Sequence, residues 1–297
     1  MSTTNEYFID GHRLSAARVD AGLHLVATPI GNLGDITLRA LATLAGADLV
    51  LCEDTRTTAR LLQRYQIKTR MKPYHDHNAA RQRPSILALL KDGKSIALVS
   101  DAGTPLVSDP GYKLVKACLE EQLEVQMVPG VSAPVMALAL SGLPSDQFQF
   151  CGFLPAKTGA RRQCLEQLKD NPATLIFFES AQRLAASLTD IGDILGDREA
   201  AIARELTKLH EEVIRGPVSS LIDQIEGRQS VKGEITLVVA PASLQVESAE
   251  SPVVLDALAA ALRELPAGKA AADVAKRFGL PKKALYEQAI SLKAEQS

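Results

Sequence analysis

From residue 23 onward, apolar and polar positions fall into a repeating block of short apolar run, turn and helical run. Residues 23–28, 48–52, 95–100 and 125–128 read as short buried strands. Residues 37–44, 56–65, 79–90, 111–121 and 133–140 place apolar side chains at helical spacing. Strands alternating with helices of this length predict a mostly parallel sheet covered on both faces. Gly142, Leu143, Pro144 and Ser145 interrupt the pattern and suggest a domain boundary. A second block follows, with strands at 148–153, 174–178, 200–204, 212–214 and 235–240, and helices at 161–168, 183–195 and 219–225. The reading is an α/β fold class, with one domain at residues 22–143 and a second α/β or α+β domain at 144–241.

Outside these blocks the pattern weakens. Residues 1–21 are polar, lack the apolar stretch of a signal peptide, and read as a flexible tail. Residues 242–252 are rich in Ser and Glu and read as a linker. Beyond them, 253–265 and 269–293 read as helices, the latter split by Gly279 and Pro281. This 253–297 unit has helix-turn-helix character, with Pro281 suited to a first helical turn.

Composition narrows the function. Hydrophobic residues make up 46% of 297, enough for real cores, and the longest apolar stretch is too short for a membrane span. Aromatics are 4% and Trp is absent, which argues against a stacking platform for single-stranded bases. The formal charge of −2 excludes a wholly basic coat, so any nucleic-acid contact must come from local clusters. The four cysteines lie at no metal-ligand or redox spacing and read as core thiols of a cytoplasmic chain. His75 and His77 flank Asp76, but no third ligand is apparent, so no metal is expected.

Three glycine loops follow three strands. A-T-P-I-G-N-L-G-D spans 27–35, where Gly31 and Gly34 allow positive φ and close ligand approach. It is neither a phosphate-binding loop of the G-K-S/T type nor a dinucleotide fingerprint. S-D-A-G-T-P-L-V-S-D-P-G spans 100–111. Asp101 falls at the carboxyl end of a buried strand, where open α/β sheets bind ligands. Asp109 before Pro110 reads as a helix cap. V-P-G-V-S-A spans 128–133, and Ser132 either caps a helix or faces the ligand. Together the loops outline one cleft at the edge of a sheet.

Charge adds a second theme. Arg56, Arg60 and Arg64 recur at spacing four, with Lys68, Arg70 and Lys72 beyond and no acid between 55 and 75. At helical spacing these arginines share one arc, opposite Leu61, Leu62 and Tyr65. The stripe is either a solvated face or a phosphate contact. Lys157, Arg161 and Arg162 form a smaller cluster. Glu53, Asp54 and Arg56 end the second strand, as a cap with an ion pair or as part of the cleft wall.

These motifs, with C-E-D-T-R at 52–56, G-F-L-P-A-K at 152–157 and K-G-E-I-T-L-V at 232–238, resemble the tetrapyrrole-methylase-fold family of methyltransferases. The likeness is to its branch acting on small-subunit ribosomal RNA, and it covers roughly residues 23–240 and the helical tail. The resemblance implies two α/β domains with a cofactor cleft between them, a homodimer, and S-adenosyl-L-methionine as methyl donor. It implies 2′-O-methylation of a cytidine in 16S rRNA near the decoding centre. On this basis Pro29, Gly31, Asp101, Ala102, Gly103, Thr104, Ser132 and Ala133 are expected at the cofactor. Glu53, Asp54, Arg56, Lys232 and Glu234 are expected around the reacting hydroxyl, with Glu53 and Glu234 the leading bases. Arg60, Arg64, Lys68, Lys157, Arg161 and Arg162 are expected on RNA. One departure is visible: F-F-E-S-A-Q-R-L at 177–184 carries Ser180 and Gln182 where the family pattern has Ala-Pro-His-type residues. The rival readings are a tetrapyrrole C-methyltransferase and a non-catalytic RNA-binding assembly factor.

Overall fold

A computed structural model describes residues 5–242 and 249–295. The chain divides into two compact units, Met1–Ala242 and Ser243–Ser297.

The first unit opens with a hairpin of β1 (Glu6–Ile9) and β2 (His12–Ser15). Then come β3 (Gly22–Val26), α1 (Leu38–Gly46), β4 (Leu49–Cys52), α2 (Thr55–Arg64), β5 (Met71–Pro73), α3 (Asp76–Lys91), β6 (Ser95–Leu98), α4 (Tyr112–Glu120), β7 (Val125–Val128) and α5 (Ala133–Ser141). The first sheet is parallel throughout, in the order β5-β4-β6-β3-β7. Its connections run one way from β3 to β5 and the other way from β5 to β7. Right-handed crossovers therefore send α1 and α2 to one face and α3 and α4 to the other. The two cores follow this rule. Leu41, Leu44, Leu61 and Leu62 pack with Val26, Val50 and Ala97 on one face; Ile86, Leu90, Leu114 and Cys118 pack with Leu23, Leu51 and Ile96 on the other.

The flexible-tail reading of 1–21 is corrected over the hairpin; residues 1–4 lie outside the described residues. Asp10 and Gly11 both take positive φ, the left-handed pair that a two-residue hairpin turn demands. Tyr7 is buried against the α1/α2 layer, and the Phe8 amide donates to the Tyr65 carbonyl at 2.9 Å. The β5 strand is an addition to the sequence reading. It has three residues at a sheet edge, too short and too charged to show a strand period.

The second half of the unit holds β8 (Phe148–Phe153), α6 (Thr158–Glu166), β9 (Thr174–Ser180), α7 (Leu184–Leu195), β10 (Glu199–Arg204), β11 (Glu212–Pro217), α8 (Val218–Glu226) and β12 (Glu234–Val239). Its sheet runs β11-β10-β12-β9-β8, antiparallel except between β8 and β9. Successive side chains on a strand face opposite sides. Leu175 and Phe177 accordingly meet α6, α7 and α8, while Ile176 meets α5. Placing α5 in a first domain ending at 143 is therefore corrected in space: α5 comes before that boundary in the chain, yet its Ala137 and Leu138 pack on the second sheet.

The second unit comprises α9 (Pro252–Leu262), α10 (Ala267–Phe278) and α11 (Lys282–Glu295) around its own core of Val254, Leu258, Ala270, Val274, Leu285 and Ala289. Gly279 at φ 67° closes α10 in the left-handed conformation that favours glycine. Of the linker reading, residues 243–248 lie outside the described residues. Among the described residues no helix is long and apolar enough to cross a membrane.

Candidate active site

The neighbouring strands β6 and β3 send their following helices to opposite faces, so their exit loops diverge and a crevice opens at their carboxyl ends. The loops are tied together across it. Thr28 and Gly103 exchange main-chain hydrogen bonds at 2.9 and 3.0 Å, and the Thr104 hydroxyl donates to the Val131 carbonyl at 3.1 Å. Gly103 sits at φ +79°, and a Cβ there would press on Ile30 at 3.2 Å. Glycine is thus needed twice, for conformation and for space.

A cavity of about 380 Å³ lies between these loops and the second sheet. Asp101, Ala102, Gly103, Thr104, Ser132, Ala133 and Glu234 line it, all from the expected sets. Asp109, Phe153, Phe178, Glu179, Ser180 and Leu206 line it as well and were not expected there. Pro29, Gly31, Glu53, Asp54, Arg56 and Lys232 do not form its wall.

For all of these but Pro29 the structure shows where the side chain or backbone is engaged instead. Gly31 and Gly34 are absent from the positive-φ residues, so conformation does not require them. A Cβ on Gly31 would instead run into the Lys208 side chain. The adjacent Asn32 amide donates to the Thr207 hydroxyl at 3.1 Å, docking this loop on the far wall. Asp54 caps α2, accepting from the Arg56 amide at 2.8 Å, and pairs with the Arg56 guanidinium at 2.6 Å. That guanidinium holds the Asp54 carboxyl down at about 2. The cap-and-ion-pair reading thus accounts for both residues. Glu53 is half-buried behind the wall; burial, then the Asp101 and Asp76 charges, raise its pKa. Lys232 is exposed, and its carbonyl accepts from Arg204 at 3.2 Å.

The carboxylates in the wall differ in their ties. Asp101 accepts the Asp54 amide at 3.0 Å, so besides lining the cavity it fixes the start of a helix. Glu179 is buried, paired with Arg183 at 2.6 Å and hydrogen-bonded by the Ser187 hydroxyl at 2.6 Å. Glu234 pairs with Lys208 at 3.0 Å, which also holds Glu205 at 2.8 Å. Asp109 is not a cap: α4 starts after Gly111 at φ 134°. Burial, then the Glu53 charge, push the Asp109 carboxyl up to about 6. Ser132 precedes α5 without a capping bond from its side chain, leaving the hydroxyl at the cavity. The F-F-E-S-A-Q-R-L departure contributes Phe178, Glu179 and Ser180 to the wall.

The basic candidates separate in the same way. Arg60, Arg64 and Lys68 are exposed, while Leu61, Leu62 and Tyr65 are buried beneath them. Arg64 approaches Asp10 at 4.0 Å and lies over the Tyr65 ring. Lys157 is exposed before α6. Arg161 is corrected: it is 4% exposed and pairs with Asp190 at 2.6 Å. Arg162 bridges Asp190 and Asp193 at 2.7 and 2.8 Å, so both arginines fasten α6 to α7. Among the described residues, no group of three or more His, Cys, Asp or Glu could hold a metal ion.

Residues 22–222 match the family of tetrapyrrole (corrin/porphyrin) methylases, and residues 248–293 match the RsmI C-terminal HTH domain. A ribosomal RNA small subunit methyltransferase I of Mesorhizobium japonicum is 52% identical over 282 residues, covering 94% of this chain and 95% of that relative. Its counterpart in Micromonospora olivasterospora is 45% identical over 297 residues, covering 97% and 92%. A solved cobalt precorrin-4 methyltransferase shares the fold, with a TM-score of 0.55 at 18% identity over 73% of this chain and 94% of its own. With its cleft formed at the switch point of a parallel sheet, the chain belongs to the ribosomal RNA small subunit methyltransferase I family, built on the tetrapyrrole methylase fold.

Proposed function

We propose that this chain transfers a methyl group from S-adenosyl-L-methionine to the 2′-hydroxyl of a cytidine in 16S rRNA near the decoding centre, working as a homodimer in the cytoplasm. The observation that carries the reading is the cavity at the switch point of the first sheet, in a chain of this family. The residues present suit the cofactor. Ile30, Phe153, Phe178 and Leu206 offer apolar surface to a nucleoside, Asp101 offers negative charge to a sulfonium, and the free amides of α5 suit a carboxylate. When bound, the cofactor supplies a methyl group already activated by attachment to positive sulfur.

The chain's own work is then positioning. The loops at 100–109 and 129–133 fix one wall, and Glu179, held by Arg183 and Ser187, fixes the other. Holding a ribose hydroxyl in line with the methyl removes up to ~7–11 kcal/mol of barrier through orientation alone. No covalent enzyme intermediate is required. The exposed face of α2, carrying Arg60 and Arg64, would grip RNA phosphates.

The test is methyl transfer from labelled cofactor to small ribosomal subunits from cells lacking the protein, with the modified nucleotide mapped by mass spectrometry. One ribose-methylated cytidine is expected. A labelled tetrapyrrole with unlabelled subunits would move the assignment to a C-methyltransferase. The α2 face is checked separately with Arg60→Glu plus Arg64→Glu. RNA affinity should fall and the slope of log affinity against log salt should shrink by roughly 2, about one per lost phosphate contact, with cofactor affinity unchanged. An unchanged slope would leave this face as a solvated surface.

A further inference from the structure

Of the four carboxylates in the cavity wall, three are already engaged. Asp101 receives a main-chain amide, Glu179 an arginine and a serine, and Glu234 a lysine. The fourth, Asp109, has no cation and no main-chain amide among the described residues; its polar partner is the Ser100 side chain. Glu53, the other half-buried carboxyl nearby, stands behind the wall rather than in it. An engaged carboxylate is a poor proton acceptor, because its partner stabilises the ionised form. The geometry also removes the bland alternative for Asp109, since Gly111 and not Asp109 starts α4.

We propose that Asp109 is the proton acceptor for the attacking ribose hydroxyl. This rests on the reading of the cavity as a methyl-transfer site. As the O–CH₃ bond forms, the S–CH₃ bond breaks and sulfur keeps its electron pair. The hydroxyl proton passes to a carboxylate oxygen of Asp109 and from there to solvent. Asp109 works among other charges: Glu53 and Asp101 face it from the first sheet, while Glu179 and Glu234 line the opposite wall, each paired behind it with a cation, Arg183 and Lys208 respectively. A carboxyl titrating at about 6 is ionised at neutral pH yet holds a proton better than an ordinary aspartate, as a general base should.

The burial that raises this pKa also sets a signature in stability. The native carboxyl keeps its proton up to about pH 6, whereas an unperturbed aspartate loses it near 3.8. Between those values the native state binds more protons, so stability falls as pH rises through that window. Asp109→Asn removes this loss.

The experiment compares wild type with Asp109→Asn and Asp109→Glu. It measures single-turnover methylation of subunits on either side of pH 6, cofactor affinity by calorimetry, melting temperature, and carboxyl titration by NMR. The Asn variant should lose roughly 10²–10⁴-fold in rate, keep cofactor affinity, and melt no lower than wild type at neutral pH. The wild-type rate should decline below about pH 6, in step with a carboxyl resonance that the Asn variant lacks. The Glu variant should recover part of the rate. An Asn variant of near-normal rate, or one retaining the acidic decline, would overturn the assignment while leaving the methylation reading intact. Wild-type protein that binds cofactor and methylates no subunit would overturn both.

Discussion

Replacing Asp190 with alanine should destabilise the first unit by about 3–5 kcal/mol, the range found when one partner of a buried ion pair is removed. Arg161 is buried, and its guanidinium finds Asp190 through two nitrogens at 2.6 Å. No other carboxylate reaches it among the described residues, so the truncation strands a buried cation. Arg162 suffers less, because Asp193 remains within 2.8 Å and its side chain is 42% exposed. The loss should appear as a lower midpoint in urea at unchanged slope. The double change Asp190→Leu plus Arg161→Met should recover most of it, since an apolar pair of similar volume often matches a buried ion pair. The same double variant separates the two roles of the cluster. RNA affinity and its salt slope should match wild type, because Arg161 points its charge into the α6/α7 interface. A destabilisation below about 1 kcal/mol, or weakened RNA binding by the stable double variant, would restore Arg161 to the RNA surface.

Arg161 also marks the limit of what the sequence disclosed. In one dimension, Lys157, Arg161 and Arg162 look like a basic patch, because the neutralising Asp190 lies 29 residues further on, on another helix. Burial is a property of that pairing and leaves no local trace. The glycine loops were readable for the opposite reason. Each lies within a dozen residues of its strand, and a parallel sheet places strand ends together by topology alone. The far wall of the cavity comes from β8, β9, β10 and β12, whose mostly antiparallel order no short-range pattern fixes. Glu179 carried a faint signal, a lone acid closing the apolar run T-L-I-F-F.

Two local misreadings have local causes. Asp109-Pro110 imitates a helix start, yet the positive φ of Gly111 delays the helix to Tyr112 and frees the carboxylate for the cavity. Asp10-Gly11 is a strong hairpin signal, but the flanking strands are only four residues each and the second, His12–Ser15, is largely polar and exposed, so the pair shows no clear strand period. In both cases positive φ angles, at Gly111 and at the Asp10–Gly11 pair, outweighed the sequence average.

Asp101→Ala is the change expected to weaken cofactor binding most, by roughly 10–100-fold, the worth of about 1.5–3 kcal/mol for an interaction with a charged group. Calorimetry of the free protein checks it without any RNA. The side chain has two jobs, however, and alanine removes both. One is to line the cavity with negative charge. The other is to accept the Asp54 amide at 3.0 Å, which anchors the start of α2 beside the cleft. Asparagine separates them, because its amide oxygen still accepts from Asp54 while the charge is gone. If the charge faces a sulfonium, Asp101→Asn should lose cofactor affinity nearly as far as alanine does, with a melting temperature close to wild type. If anchoring α2 is the whole role, asparagine should restore both affinity and stability. Alanine binding cofactor as tightly as wild type would remove Asp101 from the cofactor wall and leave it as a helix anchor alone.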